Sequence, residues 1–123
     1  MIRGLVDANL QARVGLRVRG PSGAELDLDA VVDTGFDDSL ILPANTISAL
    51  GLTLLTNGRA VLADGSVKLF GIFSAEVEWD GVWRSIQVSA VGDETLMGMA
   101  MLLHHELRIK TVPGGSVEII PLP

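Results

Sequence analysis

The clearest chemistry in the chain lies at Ala30-Val31-Val32-Asp33-Thr34-Gly35, where an apolar run leads straight into a carboxylate, a small hydroxyl residue and a glycine. A carboxylate at the end of a buried strand can serve as a general acid or base. The threonine can hydrogen-bond neighbouring backbone and hold the carboxylate still, and glycine suits the sharp turn the chain must make there. The bare tripeptide is a weak signal, because an ordinary turn aspartate looks the same. Val31-Val32 before it and Ser39-Leu40-Ile41-Leu42-Pro43 after it make it more specific. A second feature is Leu96-Met97-Gly98 running into Met99-Ala100-Met101-Leu102-Leu103. Its glycine lets one backbone segment pass close to another, which by itself signals core packing.

Other combinations could carry chemistry and do so less well. Asp27-Leu28-Asp29-Ala30-Val31 has the Asp-x-Asp spacing of haloacid-dehalogenase-type phosphatases. That chemistry needs a nucleophilic aspartate after a buried strand, Mg²⁺ and an α/β sheet, and helical crossovers are missing here. His104-His105 would point about 100° apart on a helix, so the two rings do not converge on one metal. Asp37-Asp38 and Asp93-Glu94 lack the spaced oxygen ligands of a calcium loop and read as loop charges. Trp79 and Trp83 flank a turn and suit cross-strand packing. The methionines at 97, 99 and 101 read as core or interface filler.

The elements that must position Asp33 are mostly strands. In Arg13 to Arg19, residues Val14, Leu16 and Val18 share one face and the arginines the other. Glu25 to Val32 places Leu26, Leu28, Ala30 and Val32 inward and Glu25, Asp27 and Asp29 outward. Joined by Gly20-Pro21-Ser22-Gly23, the two make a hairpin with paired basic and acidic outer faces. Pro43, Ile47, Leu50 and Gly51 predict a helix over Ala44 to Leu50. Arg59 to Ala63 and Ser66 to Phe73 flank Asp64-Gly65 as a two-residue hairpin turn. Glu76 to Trp79 and Val82 to Val88 flank Asp80-Gly81 likewise. Leu96 to Glu106 reads as a loop entering a helix, and Leu107 to Lys110 with Ser116 to Ile120 as a closing hairpin around Pro113-Gly114-Gly115. That order predicts an all-β barrel or sandwich.

The chain has 123 residues, of which 48% are hydrophobic and 20% charged, with a net charge of -6 and no cysteine. This is the size of one domain, 1–123, able to build a core without disulfide or metal staples. The acidic balance argues against nucleic acid or an anionic membrane as the main partner, since both call for a basic patch. No apolar run approaches the ~18 residues of a membrane span. The residues after Met1 lack a signal-peptide core, so a cytoplasmic protein is expected.

In combination, Val31-Val32-Asp33-Thr34-Gly35, the hairpin turning at Asp64-Gly65, and Leu96-Met97-Gly98 before a short helix resemble the retropepsin-like aspartic proteases. The order agrees from about Val14 to Ile120. Phe36 and Leu42-Pro43 match the small prokaryotic single-domain branch of that family. The resemblance implies an all-β closed acid-protease barrel with one or two short helices, assembled as a homodimer. Amide hydrolysis of this kind uses two carboxylates that share a proton and a water. One Asp-Thr-Gly per chain therefore implies Asp33 from each of two copies at a twofold axis.

The resemblance further implies that Thr34 locks the two loops across the axis and that Gly35 contacts the substrate backbone. Ala63, Asp64 and Gly65 would close over an extended peptide or protein substrate, with Phe36, Leu96 and Met97 also lining the site. No cofactor and no metal are implied. Three departures stand out. Phe36 replaces a small residue of retroviral members and reshapes the adjoining pocket. Met99 replaces an arginine that supports the dimer, and the hairpin is poorer in glycine. The rival reading is the same fold holding peptides or a protein partner without cleaving them.

Overall fold

A computed structural model describes residues 1–123. The strands are β1 (Ile2–Val6), β2 (Ala12–Arg19), β3 (Glu25–Val32), β4 (Leu40–Ile41), β5 (Thr53–Val61), β6 (Val67–Trp79), β7 (Val82–Ser89), β8 (Leu96–Met97), β9 (His105–Ile109) and β10 (Ser116–Pro121). Two short helices, α1 (Ala44–Leu50) and α2 (Met99–Leu102), interrupt them.

Pairing runs β5-β6-β7-β4-β8-β3-β2-β1-β10-β9, and a further β6–β2 ladder closes six of these strands into a barrel. Closure works because β2 splits its edge between two partners. Ala12 to Val14 pair with β1, while Arg17 to Arg19 pair with β6. Outside the barrel, β1, β10 and β9 continue the sheet on one side, and the β5–β6 hairpin extends from the other.

Alternation explains the core. Val14, Leu16 and Val18 of β2 are buried against Val77 and Trp79 of β6, Ile86 and Val88 of β7, and Met97 and Met101. The outward residues of β2 and β3 pair as their charges require, with Arg17 Nε donating to Asp27 at 2.9 Å. Leu26 departs from the expected inward set and is exposed, near the start of β3 and opposite Val18.

Two expected strands, Ser66 to Phe73 and Glu76 to Trp79, are one strand, β6. Ser74 and Ala75 stay paired, to Gln87 and Ile86, so the ladder never breaks. The turn at Asp80-Gly81 has two residues as expected, both at positive φ (51° and 86°). The turn at Asp64-Gly65 does not. Leu62 N–H donates to Ser66 at 2.8 Å and Gly65 N–H donates to Leu62 at 2.9 Å. Ala63, Asp64 and Gly65 therefore form a three-residue loop, with Gly65 in the left-handed region at φ 84°.

The helix over Ala44 to Leu50 is present, ended by Gly51 at φ 61°. The second helix is far shorter than Leu96 to Glu106. It stops at Leu102, and His104 turns the chain at φ 67° so that β9 can begin at His105. The mostly apolar run from Leu96 to Glu106 fitted a helix by type, but pairing of His105 to Ile109 with β10 takes its last two residues into the sheet. The two histidines thus lie in a turn and a strand. Trp79 Nε1 donates to His105 Nε2 at 3.3 Å, and the pairing assigns the ring proton to Nδ1, 2.8 Å from the Leu103 carbonyl.

Candidate active site

Asp33 follows β3 at the point where three strands meet. β8 lies between β3, which it pairs in parallel, and β4, which it pairs antiparallel. The chain leaving β3 must therefore pass over the end of β8 to reach β4, and residues 33 to 39 make that crossing. Asp33 N–H donates to the Met97 carbonyl at 2.8 Å, and Val31 N–H donates to Thr95 at 2.9 Å. The carboxylate-bearing residue is thus the last one held by the β3–β8 ladder.

The start of α2 fastens the rest of the loop. The first amides of a helix have no partner inside it, and here they find the crossing loop. Gly98 N–H donates to Ser39 at 2.9 Å, Met99 N–H to Phe36 at 2.8 Å, and Ala100 N–H to Asp37 at 3.1 Å. This contact explains Gly98. A Cβ there would lie 2.1 Å from the Asp38 carbonyl oxygen and 2.7 Å from that of Phe36. No side chain fits while the loop is in place.

The Asp33 carboxylate is half-buried, and its Oδ1 accepts the Gly35 N–H at 2.9 Å. No group of the same chain donates to Oδ2, and no lysine or arginine pairs with Asp33. One oxygen is thus fixed and the other is free to take a ligand. Gly35 is required for a reason other than the one its sequence suggests. Its φ is not in the left-handed region, so the turn itself accepts other residues. A Cβ at position 35 would stand 3.2 Å from Asp33 Oδ1 and crowd the carboxylate.

The remaining residues singled out from sequence divide between the loop, the barrel and the hairpin. Thr34 is exposed beside Asp33, with its hydroxyl unpaired within the chain. Phe36 is half-buried, and its ring lies against Gly98. Leu96 and Met97 form β8. Met97 is fully buried, so it positions Asp33 through its carbonyl and its side chain belongs to the core, not to a surface that a substrate touches. Met99 is exposed at the start of α2, next to the loop.

Ala63, Asp64 and Gly65 sit at the exposed tip of the β5–β6 hairpin, and no hydrogen bond joins that tip to the Asp33 loop. Asp64 organises the tip. The Ser66 hydroxyl and N–H donate to its Oδ1 at 2.6 and 2.9 Å, holding the Asp64 carboxyl below the usual carboxylate range. Phe70 covers Gly58 across the hairpin, which is why the strand pair tolerates a glycine there.

Sequence reasoning overlooked the hairpin joining β1 and β2. Asp7-Ala8-Asn9 was a readable turn signal. Asp7 Oδ1 accepts the amides of Asn9 and Gln11 at 2.8 and 2.9 Å, and its Oδ2 accepts Arg13 Nε at 2.6 Å. The Arg13 guanidinium, more than any other group, holds the Asp7 carboxyl below the usual carboxylate range. This turn adjoins the site, since Leu10, Ala12, Val31, Val32 and Thr34 line one groove of about 410 Å³.

A closed barrel with its Asp-Thr-Gly loop passing over an inserted strand and clamped by a short helix has the fold of the retropepsin-like aspartic proteases. The crystal structure of a retropepsin-like aspartic protease from Rickettsia conorii superposes with a TM-score of 0.64 at 16% sequence identity, covering 98% of this chain and 89% of that one. A scan against protein-family models and a search of curated proteins each return no match. The all-β closed barrel with two short helices that the resemblance implies is therefore the observed fold. In addition, no helix is long and apolar enough to cross a membrane.

Proposed function

We propose that the protein is an aspartic endopeptidase whose dyad consists of Asp33 from each of two copies. The observation that carries this reading is the state of the Asp33 carboxylate. It is held at the backbone by β8, fixed at Oδ1 by Gly35, and left free at Oδ2 in a half-buried surface loop. One chain supplies one such group, so the chemistry is complete only in a symmetric pair.

In the pair, like charges at close range disfavour double ionisation, so the two carboxyls share one proton. The ionised Asp33 accepts a proton from water as its oxygen bonds to the scissile carbonyl carbon, and the protonated Asp33 donates to the carbonyl oxygen. Transfer of a proton to the amide nitrogen then allows the C–N bond to break, releasing a carboxylic acid and an amine. A peptide or protein substrate lies extended beneath the two β5–β6 hairpins, where edge strands offer main-chain hydrogen bonds.

Asp33→Asn tests the assignment. Cleavage of a peptide library should vanish while the dimer mass and the unfolding transition persist. Undiminished cleavage by that variant removes Asp33 from the reaction. Peptide binding without cleavage by the unaltered chain would favour the binding-module reading.

A further inference from the structure

Three hairpin turns in this chain share one hydrogen-bond pattern. In Gly20 to Ala24, Gly20 N–H donates to Ala24 at 2.9 Å and Gly23 N–H to Gly20 at 3.1 Å. In Leu62 to Ser66, the corresponding distances are 2.8 and 2.9 Å. In Asp7 to Gln11, Asp7 N–H donates to Gln11 at 2.9 Å and Leu10 N–H to Asp7 at 3.1 Å. Each is a three-residue loop whose last residue adopts the left-handed conformation. In two of them that residue is glycine, Gly23 at φ 91° and Gly65 at φ 84°. In the third it is Leu10 at φ 61°.

A leucine there is strained, because its Cβ meets the following carbonyl in the left-handed region. It is also 65% exposed, so it gains little from its own fold. The three bonds to Asp7 from Asn9, Gln11 and Arg13 hold the turn in place regardless. What Leu10 does is form the lip of an apolar groove with Val6, Ala12, Val32, Ile109 and Thr34. The groove reaches Thr34, the neighbour of Asp33, so it adjoins the surface that a second Asp33 would approach.

We infer that Leu10 is an association anchor, presented by the Asp7 turn so that a second copy of this chain closes the groove, with Leu10 of each copy entering the groove of the other. This rests on the dimeric dyad proposed above. An interface related by a twofold axis is self-complementary, so one exposed leucine counts twice. Strain at a single exposed residue is then offset in the assembly instead of in the protomer.

Leu10→Asn separates the two roles, since asparagine tolerates the left-handed conformation and removes the apolar side chain. Sedimentation equilibrium over a dilution series should show its dissociation constant raised at least tenfold. Urea unfolding at dilutions where both proteins are monomeric should show the variant no less stable. Leu10→Met should associate within about threefold of the unaltered chain. A dimeric unaltered chain with Leu10→Asn equally dimeric overturns the anchor and leaves the dyad standing. An unaltered chain that stays monomeric at every concentration overturns both.

Discussion

The Asp33 amide donates to the Met97 carbonyl at 2.8 Å, tying the acid to a strand made far later in the chain. β8 is two residues long, yet it holds β3 on one edge and β4 on the other. The acid is therefore as rigid as the barrel, because Met97 and its partner Leu40 are both fully buried in the core. Tying a side chain to a regular element in this way positions it more accurately than a free loop would.

Gly98→Ala tests that clamp. The added methyl would lie 2.1 Å from the Asp38 carbonyl oxygen, so backbone must move. Overpacking of this kind costs about 1–3 kcal/mol. Urea unfolding should show that loss, and peptide cleavage should fall further than stability does, since the displaced segment is the Asp33 loop itself.

Gly35→Ala should behave differently. Its Cβ meets only Asp33 Oδ1, at 3.2 Å, and the backbone conformation is open to alanine. The unfolding free energy should change by less than about 1 kcal/mol, the range of substitutions that break no packing. Turnover should drop at least about tenfold, equivalent to a barrier raised by roughly 1.4 kcal/mol. Wild-type turnover in this variant would mean that the position of Oδ1 does not matter.

Concentration should control activity. A site assembled from two copies is populated by mass action, so specific activity should fall on dilution through the dissociation constant. Initial rates measured across a dilution series, alongside sedimentation at the same concentrations, should follow one curve. Constant specific activity in samples that sediment as monomer would contradict the paired site.

Acid should weaken the fold partly through Asp7 and Asp27. Hydrogen bonds from Arg13 and Arg17, respectively, are the main cause holding these carboxyls below their ordinary range. A depressed folded value stabilises the protein above the unfolded pKa of about 3.9, and the contribution is lost as pH falls through the folded value. Urea unfolding between pH 7 and pH 2 should show stability declining on the acid side. In Asp27→Asn that decline should be shallower and the stability near pH 7 lower, with the effect reduced by salt because the pair is exposed.

The strands around Asp33 were legible because each needs only local information. Val14, Leu16 and Val18 alternate with arginines, Asp80-Gly81 forces a two-residue turn, and Gly51 ends α1. The site was harder to read where composition and pairing disagree. His104 to Glu106 continue an apolar helical stretch, but β10 draws His105 and Glu106 into the sheet. The family resemblance placed Met97 along the site, whereas β3 and β4 enclose it on both edges and its side chain is the core filler its type suggests. Leu10 carried no signal at all, since nothing in a leucine announces that its turn will hold it in a conformation made for glycine.

By itself the sequence determined where the Asp33-Thr34-Gly35 turn falls, the alternation that makes strands and the residues that turn the chain, all properties of neighbours along the backbone. The tertiary structure alone decided that β8 would slip between β3 and β4, that α2 would donate its first amides to the Asp33 loop, and that Gly35 and Gly98 would be needed for space. Those outcomes depend on which distant segments meet. Only the closed barrel, with β2 sharing its edge between β1 and β6, brings them together.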